Sequence, residues 1–367
     1  MDFSVLEPLQ RRRPTKLVLA LAGVGALAVV AALVPTAHGG VAAGLASYDQ
    51  HNLVSDQPGK AEVTDSDLVN AWGLAFGPST PAWVANNHSD NSTLYAGGGG
   101  SPATKIPLTV AIPGGSPTGM VFNSTSDFPV QGSAANFIFS SEAGKITAWS
   151  GSTTPVTSAV TVAKAKGAIF KGLAIANSSA GPRLYATDFH NGKVDVWDRN
   201  FMPVKAHGAF RDPNLPKGYA PFGIQTLGSK IYVTYAKQDK KAEDDSPGKG
   251  FGFVDVYTTS GKLVKRLISR GALNSPWGLV IAPSSFGGFG GDLLVGNFGD
   301  GRINGYDPKS GKFGGTLENS SGKKLRIAGL WALVFGNGTI GTPDTLLFTA
   351  GPNGEDHGLF GELTPAG

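Results

Sequence analysis

The chain has no cysteine, and that single absence removes disulfides, thiolate zinc sites, iron–sulfur ligation, a cysteine nucleophile and a lipidated N-terminal cysteine. Any metal would need oxygen or imidazole ligands. Charge of one sign is also scarce: 31 Lys and Arg stand against 27 Asp and Glu, and part of the excess lies in the first forty residues. The remainder therefore carries no general affinity for nucleic acid, and basic patches interleaved with aromatics are missing. A Gly-x-Ser-x-Gly nucleophile elbow, a His-Glu-x-x-His pair and a Walker phosphate loop are absent too, which weighs against a serine hydrolase, a zinc protease or a nucleotide enzyme. Helical periodicity is almost lacking outside the N-terminal segment, and the glycine clusters near Gly97 and Gly287 precede no helix.

What the chain does have is turn-formers. Its 53 glycines and 24 prolines, with aliphatic and aromatic residues still plentiful, describe a fold of many short strands. Ahead of these, Arg11, Arg12, Arg13 and Lys16 precede an apolar run from Leu17 to Val34 and a small-residue stretch to Ala46, the layout of a secretory signal peptide. Residues 1–43 read as a signal peptide or N-terminal anchor, with cleavage after Ala37 or Ala43. Pro14 and Thr15 stand where a twin-arginine signal prefers a hydrophobic continuation, so the general secretory route is expected. Residues 44–367 read as one domain, exported and then extracellular or held at the cell surface, monomeric and without a membrane span.

One pattern recurs six times. An apolar strand entered through a glycine appears as Ala71–Phe76, Pro117–Phe122, Phe170–Ile175, Pro221–Ile224, Pro276–Ile281 and Leu330–Phe335, its glycines (Ala332 in the last copy) 46 to 55 residues apart. A second strand follows each, as at Trp83–Ala85 and Leu346–Phe348, and alternating segments such as Lys193–Trp197 and Phe253–Tyr257 supply a third. Leu263–Ile268 is a visible fourth. Four antiparallel strands repeated six times predict an all-β, six-bladed β-propeller. The last repeat has three strands of its own, whereas Gln50 to Ser55 is unpaired before the first. That segment should close the ring as the outer strand of the sixth blade.

Blade register then maps a site. The residue before each repeat glycine reads Trp72, Thr118, Lys171, Phe222, Trp277 and Trp331. These residues either plug the channel or form a stacking platform for a sugar or aromatic ligand, with Lys171 as the anionic contact. The residue ending each second strand reads Asn86, Ser141, Asp188, Tyr235, Asn297 and Ala350, and Asp188 is expected to face Lys171 as an ion pair. Asn86, Asp188 and Asn297 are candidate oxygen ligands for Ca2+ or Mg2+, or simply turn-formers. Among the histidines His88, His190 and His357, only His357 beside Glu355 suggests an acid/base pair. Glu142 and Glu355 are the candidate catalytic carboxylates. The charged run Lys237–Asp245, with Lys237 and Asp239 as candidate ligand contacts, is a solvated loop, or a lid over the channel mouth.

As a set, Tyr48–Asp56, Leu68–Gly73, Tyr235–Asp239, Gly252–Val256 and His357–Gly361 resemble a family of bacterial exported proteins, some of whose members carry PEP-CTERM sorting tails. This chain stops instead at Pro365-Ala366-Gly367. More distantly the repeats look like NHL-type and gluconolactonase-like propellers. The latter resemblance implies a metal-dependent hydrolase with Asn, Asp and Glu ligands at the channel mouth. Two functions are therefore expected. The first is an exported binding module for a small molecule, a glycan or a protein, and the second a metal-dependent hydrolase or lyase.

Overall fold

A computed structural model describes residues 47–205 and 208–366; the segment expected to be a signal or anchor lies outside them. The chain forms six small antiparallel sheets in a ring, a six-bladed β-propeller. Blade one comprises Ala71–Ala75, Ala82–Asn86, Asn91–Gly98 and Ser101–Ala111. Blade two comprises Pro117–Phe122, Phe137–Ser141, Lys145–Trp149 and Val160–Lys164. Blade four runs from Tyr219–Leu227 to Leu263–Ser269, and blade five from Pro276–Ile281 to Phe313–Thr316. Helix among the described residues is limited to two single 3-10 turns, Asn87–Ser89 and Gly287–Phe289. None of these is long and apolar enough to cross a membrane.

The ring closes as the unpaired N-terminal segment requires. Tyr48–Ser55 pairs antiparallel with Leu359–Pro365 of blade six, and Val63–Thr64 adds a short parallel strand outside it. The strand begins two residues earlier than the expected Gln50, because Tyr48 is fully buried and donates its hydroxyl to the carbonyl of Phe286. Blade three departs from the four-strand pattern. Its described strands are Phe170–Ser178, Gly181–Asp188 and Lys193–Trp197, after which the chain turns back and makes one bridge between Trp197 and Pro203.

The repeat glycines mark where blades touch. A Cβ on Gly73 would lie 2.3 Å from the carbonyl oxygen of Thr118, and one on Gly223 would lie 2.1 Å from that of Trp277. Neighbouring inner strands thus approach backbone to backbone, at a distance only glycine allows. Hydroxyls bind the same junctions: Thr187 Oγ1 donates to the carbonyl of Phe222 at 2.6 Å, and Thr349 Oγ1 to that of Trp72 at 2.5 Å, the latter joining blade six to blade one. Apolar side chains fill the spaces between blades, with Leu330, Leu346 and Phe348 typical of the fully buried set.

Candidate functional site at the channel mouth

Every inner strand carries a register shift at its repeat glycine, or at Ala332 in blade six. Phe170 pairs with Asp188 and Gly172 with Thr187, which leaves Lys171 unpaired, and Trp277 is left out in the same way between Pro276 and Gly278. The pairing also jumps over Trp72, Thr118, Phe222 and Trp331. A bulge of this kind re-aims one side chain. In consequence, residues from blades that do not touch elsewhere meet in the channel.

The aromatic members of this ring fill it. Trp72 stacks on Trp331 with ring centroids 3.6 Å apart, Phe298 stacks on the same indole at 4.0 Å, and Phe222 and Trp277 approach it edgewise or tilted. Trp72, Phe222 and Trp331 are buried and Trp277 is partly buried, its indole N–H donating to the Lys171 carbonyl. The rings occupy one another's faces, so they form a plug and leave no open stacking platform for a ligand. Thr118 donates to the Phe170 carbonyl and belongs to the blade junctions.

Around the plug runs a hydrogen-bonded arc. The Trp331 indole N–H donates to Asn70 Oδ1, and Asn70 Nδ2 donates to Glu355 Oε2 at 2.6 Å and to Asn87 Oδ1 at 3.3 Å. Asn87 Nδ2 in turn donates to Glu142 Oε2 at 3.1 Å. The other Glu142 oxygen receives the Lys171 ammonium, which also donates to Asp244 Oδ1 at 2.8 Å. Seven residues from blades six, one, two, three and four are thereby linked. Asn70 sits at φ +49°, a left-handed conformation that Asn tolerates, and this turns its amide toward the arc.

Lys171 is 1 % exposed and its ammonium lies 5.3 Å from the centre of the Trp72 ring. Burial alone would lower its pKa, but the carboxylates of Glu142 and Asp244 outweigh that and hold it above the ordinary lysine range. It is a fixed cation, not a base or nucleophile. Glu355 behaves oppositely: burial pushes its carboxyl up to about 7, aided by the charges of Glu142 and Asp244 and only partly offset by the Asn70 hydrogen bond and Lys171. Burial also lifts the neighbouring Asp245 to about 6. A proton can therefore reside on the arc near neutral pH.

The blade-four loop lies over this mouth. Its Gln238 side chain donates to the carbonyl of Phe189, and His190 Nδ1 sits 3.1 Å from the carbonyl of Ala242. Asp239 does not face the arc. Its carboxylate collects the backbone N–H groups of Lys241 and Glu243, which shape the turn and hold its pKa below the usual range. Lys237 is likewise turned aside, 4.4 Å over the ring of Phe251. The loop residue that reaches the site is Asp244.

Several expected pairings are replaced by others. Lys171 does not meet Asp188, because the bulge puts Phe170 opposite that residue; Asp188 accepts from the backbone of Ile169 and Asn191 and lies 3.5 Å from Lys193. His357 does not meet Glu355 either: its Nδ1 lies 2.7 Å from Asp56, while Glu355 is bound by Asn70. Asn86 donates to Asn91 and Thr93, and Asn297 to Asp300 and the Ala272 carbonyl. Asn86 and Asn297 are thus held within blades one and five through their amide nitrogens, with each Oδ1 buried and without a partner, Asp188 is held within blade three, and no hydrogen bond links the three. Among the described residues, no group of three or more His, Asp or Glu is arranged to hold a metal ion. Sequence reading passed over Asn70, Asn87, Asp244 and Asp245. Asn70 stood two residues before the bulged Trp72, and Asp244 stood in the one long charged loop on this face.

The fold is a six-bladed propeller similar to two solved structures. Virginiamycin B lyase from Staphylococcus aureus superposes with a TM-score of 0.52 at 12 % identity, over 87 % of this chain and 99 % of that one. A gluconolactonase from Xanthomonas campestris gives 0.52 at 13 % identity, over 90 % and 93 %. At such identity the likeness is one of fold. No family model matches the chain. In sequence it is 34 % identical over 295 residues to the uncharacterized protein R648 of Acanthamoeba polyphaga mimivirus, covering 77 % of this chain and 72 % of that protein. The uncharacterized protein L690 of the same virus is 31 % identical, covering 79 % of each chain. The chain belongs to the family of these two proteins. These relatives are viral, whereas the motif set suggested a bacterial exported family.

Proposed function

We propose that the channel-mouth face binds a small polar ligand rich in hydrogen-bond donors, a sugar or an amine, with the arc from Glu355 to Asp244 as its recognition surface. The observation that carries this reading is the charge count around Lys171: Glu142, Asp244, Asp245 and Glu355 share the site with one buried ammonium. Acceptors outnumber donors there, so a ligand supplying hydroxyl or ammonium donors is favoured over an anion. Asp244, whose side chain is 73 % exposed, would close over it from the blade-four loop. Thermal-shift titration with panels of monosaccharides and of small amines tests this. The expected result is a rise in Tm with one panel, weakened at least tenfold in affinity by Glu355→Ala; no shift with either panel, or a shift indifferent to that substitution, refutes it.

A second reading is favoured by the setting of Glu355, bound by Asn70 in a site where burial pushes its carboxyl up to about 7. A carboxyl poised there can exchange a proton with a bound substrate while Lys171 stabilises developing negative charge, as a hydrolase or lyase requires. Activity on a lactone or ester panel should then fall as pH drops below 7, and lose that inflection in Glu355→Gln. The N-terminal basic and apolar segments support export, which the N-terminal residue of protein recovered from the medium would test.

A further inference from the structure

We infer that the Lys171 ammonium is the resident cation of the channel mouth, standing where a divalent ion would otherwise be held, so that this face works without a metal. The inference is independent of which ligand binds there. The oxygen donors at the mouth are those a hard cation would take: two carboxylates directly on Nζ, from Glu142 and Asp244, and a third carboxylate, Glu355, linked to Glu142 through the amides of Asn70 and Asn87. Calcium and magnesium are bound by such oxygens at about 2.0 to 2.6 Å. Here the place between Glu142 and Asp244 is taken by the Lys171 ammonium, on a side chain that is 2 % exposed.

Three features fix the ammonium there. The bulge at Lys171 frees the side chain from blade pairing and sends it into the channel. The Trp72 ring lies beneath it, a favourable neighbour for an organic cation and no ligand for calcium. The two carboxylates come from different blades, Glu142 from the blade-two turn and Asp244 from the blade-four loop, and each uses an oxygen on the same nitrogen. A divalent ion entering beside it would meet a like charge at a few ångströms in a poorly hydrated site. The gluconolactonase-like arrangement of Asn, Asp and Glu around an ion is therefore not met by these residues. The amide nitrogens of Asn86 and Asn297 and the carboxylate of Asp188 are bound within their own blades, the Oδ1 atoms of Asn86 and Asn297 are buried there without a partner, and the two carboxylates that meet at the mouth, Glu142 and Asp244, already share the Lys171 ammonium.

The test compares the wild-type protein with Lys171→Met and Lys171→Gln, titrating calcium chloride by calorimetry and following Tm. Wild type should give no binding heat, no change in Tm and no response to a chelator. Both variants, having lost the internal cation, should bind calcium at least tenfold more tightly than wild type and gain Tm with it, and terbium in the same place should emit on excitation of the tryptophans. If a variant unfolds without calcium, its recovery of folding on adding calcium is the same result. Stoichiometric calcium binding by wild type that Glu142→Gln abolishes overturns the inference. So does a failure of calcium to bind, stabilise or refold both variants.

Discussion

The two ends of the channel are built from the same six inner strands, yet one is polar and the other apolar. At the entering end lie Lys171, Glu142, Glu355, Asn70 and Asn87. At the leaving end Leu74, Phe76, Met120, Phe122, Ile175 and Val334, with Gln225 and Thr226, line a cavity of about 240 Å3. The stacked Trp72, Trp331 and Phe298 stand between them. What separates the ends is the bulge beside each repeat glycine. Before it the strand delivers one side chain per blade to the mouth, and after it ordinary alternation returns apolar residues to the ring. Polar groups gather where the backbone is irregular and loops can reach them, and the regular half of each strand is left to packing.

The largest effect should come from forcing that junction. Gly223→Ala places a methyl 2.1 Å from the Trp277 carbonyl oxygen, so blades four and five must separate, at a cost of about 3 kcal/mol. The reverse change at the exceptional position, Ala332→Gly, should cost less than about 1 kcal/mol. Urea unfolding of both variants measures the difference. Equal costs would mean that close approach is not what the glycines serve, and the division between the two ends would lose its cause.

The fold was legible for this same reason. A glycine recurring with each apolar strand signals a close backbone approach repeated six times, and an unpaired N-terminal strand beside a three-stranded last blade has one place to go. The ring residues were legible too, because they occupy one position of the repeat. Their partners were not. Register within one blade suggested Asp188 for Lys171, whereas the bulge removes Lys171 from that register and its partners arrive from blades two and four. Contacts between blades depend on loop paths that no repeat encodes. Asn70 was hidden differently: its role depends on a left-handed backbone that places one amide between Trp331, Glu355 and Asn87.

The polar end should reveal itself through pH. The Glu355 carboxyl is raised from its ordinary 4.5 to about 7, so the unfolded chain ionises first and the folded one resists. Its destabilising effect is absent below about pH 4.5, grows as pH rises toward 7 and is complete above that. Glu355→Gln keeps an acceptor for Asn70 and cannot ionise. Relative to wild type it should gain on the order of 2 kcal/mol at about pH 8 and nothing at about pH 4. A pH-independent difference would place the carboxyl in water and remove Glu355 from the buried arc.

The apolar end should respond least, and without any dependence on pH. Val334 is half-buried beside Leu74 and Phe76, and no titratable side chain lines that cavity with it. Val334→Ala removes two methyl groups from a site already open to solvent, so the loss should be about 1 kcal/mol. Ligand binding at the mouth should be unchanged, because the tryptophan plug separates the two ends and its rings are held by partners on the polar side, Asn70 for Trp331 and Lys171 for Trp277. The informative measurement is a ligand titration of the variant under conditions where it is fully folded. A shift in affinity greater than about threefold would show that the plug transmits packing changes along the channel, and the two ends would then have to be treated as one coupled site.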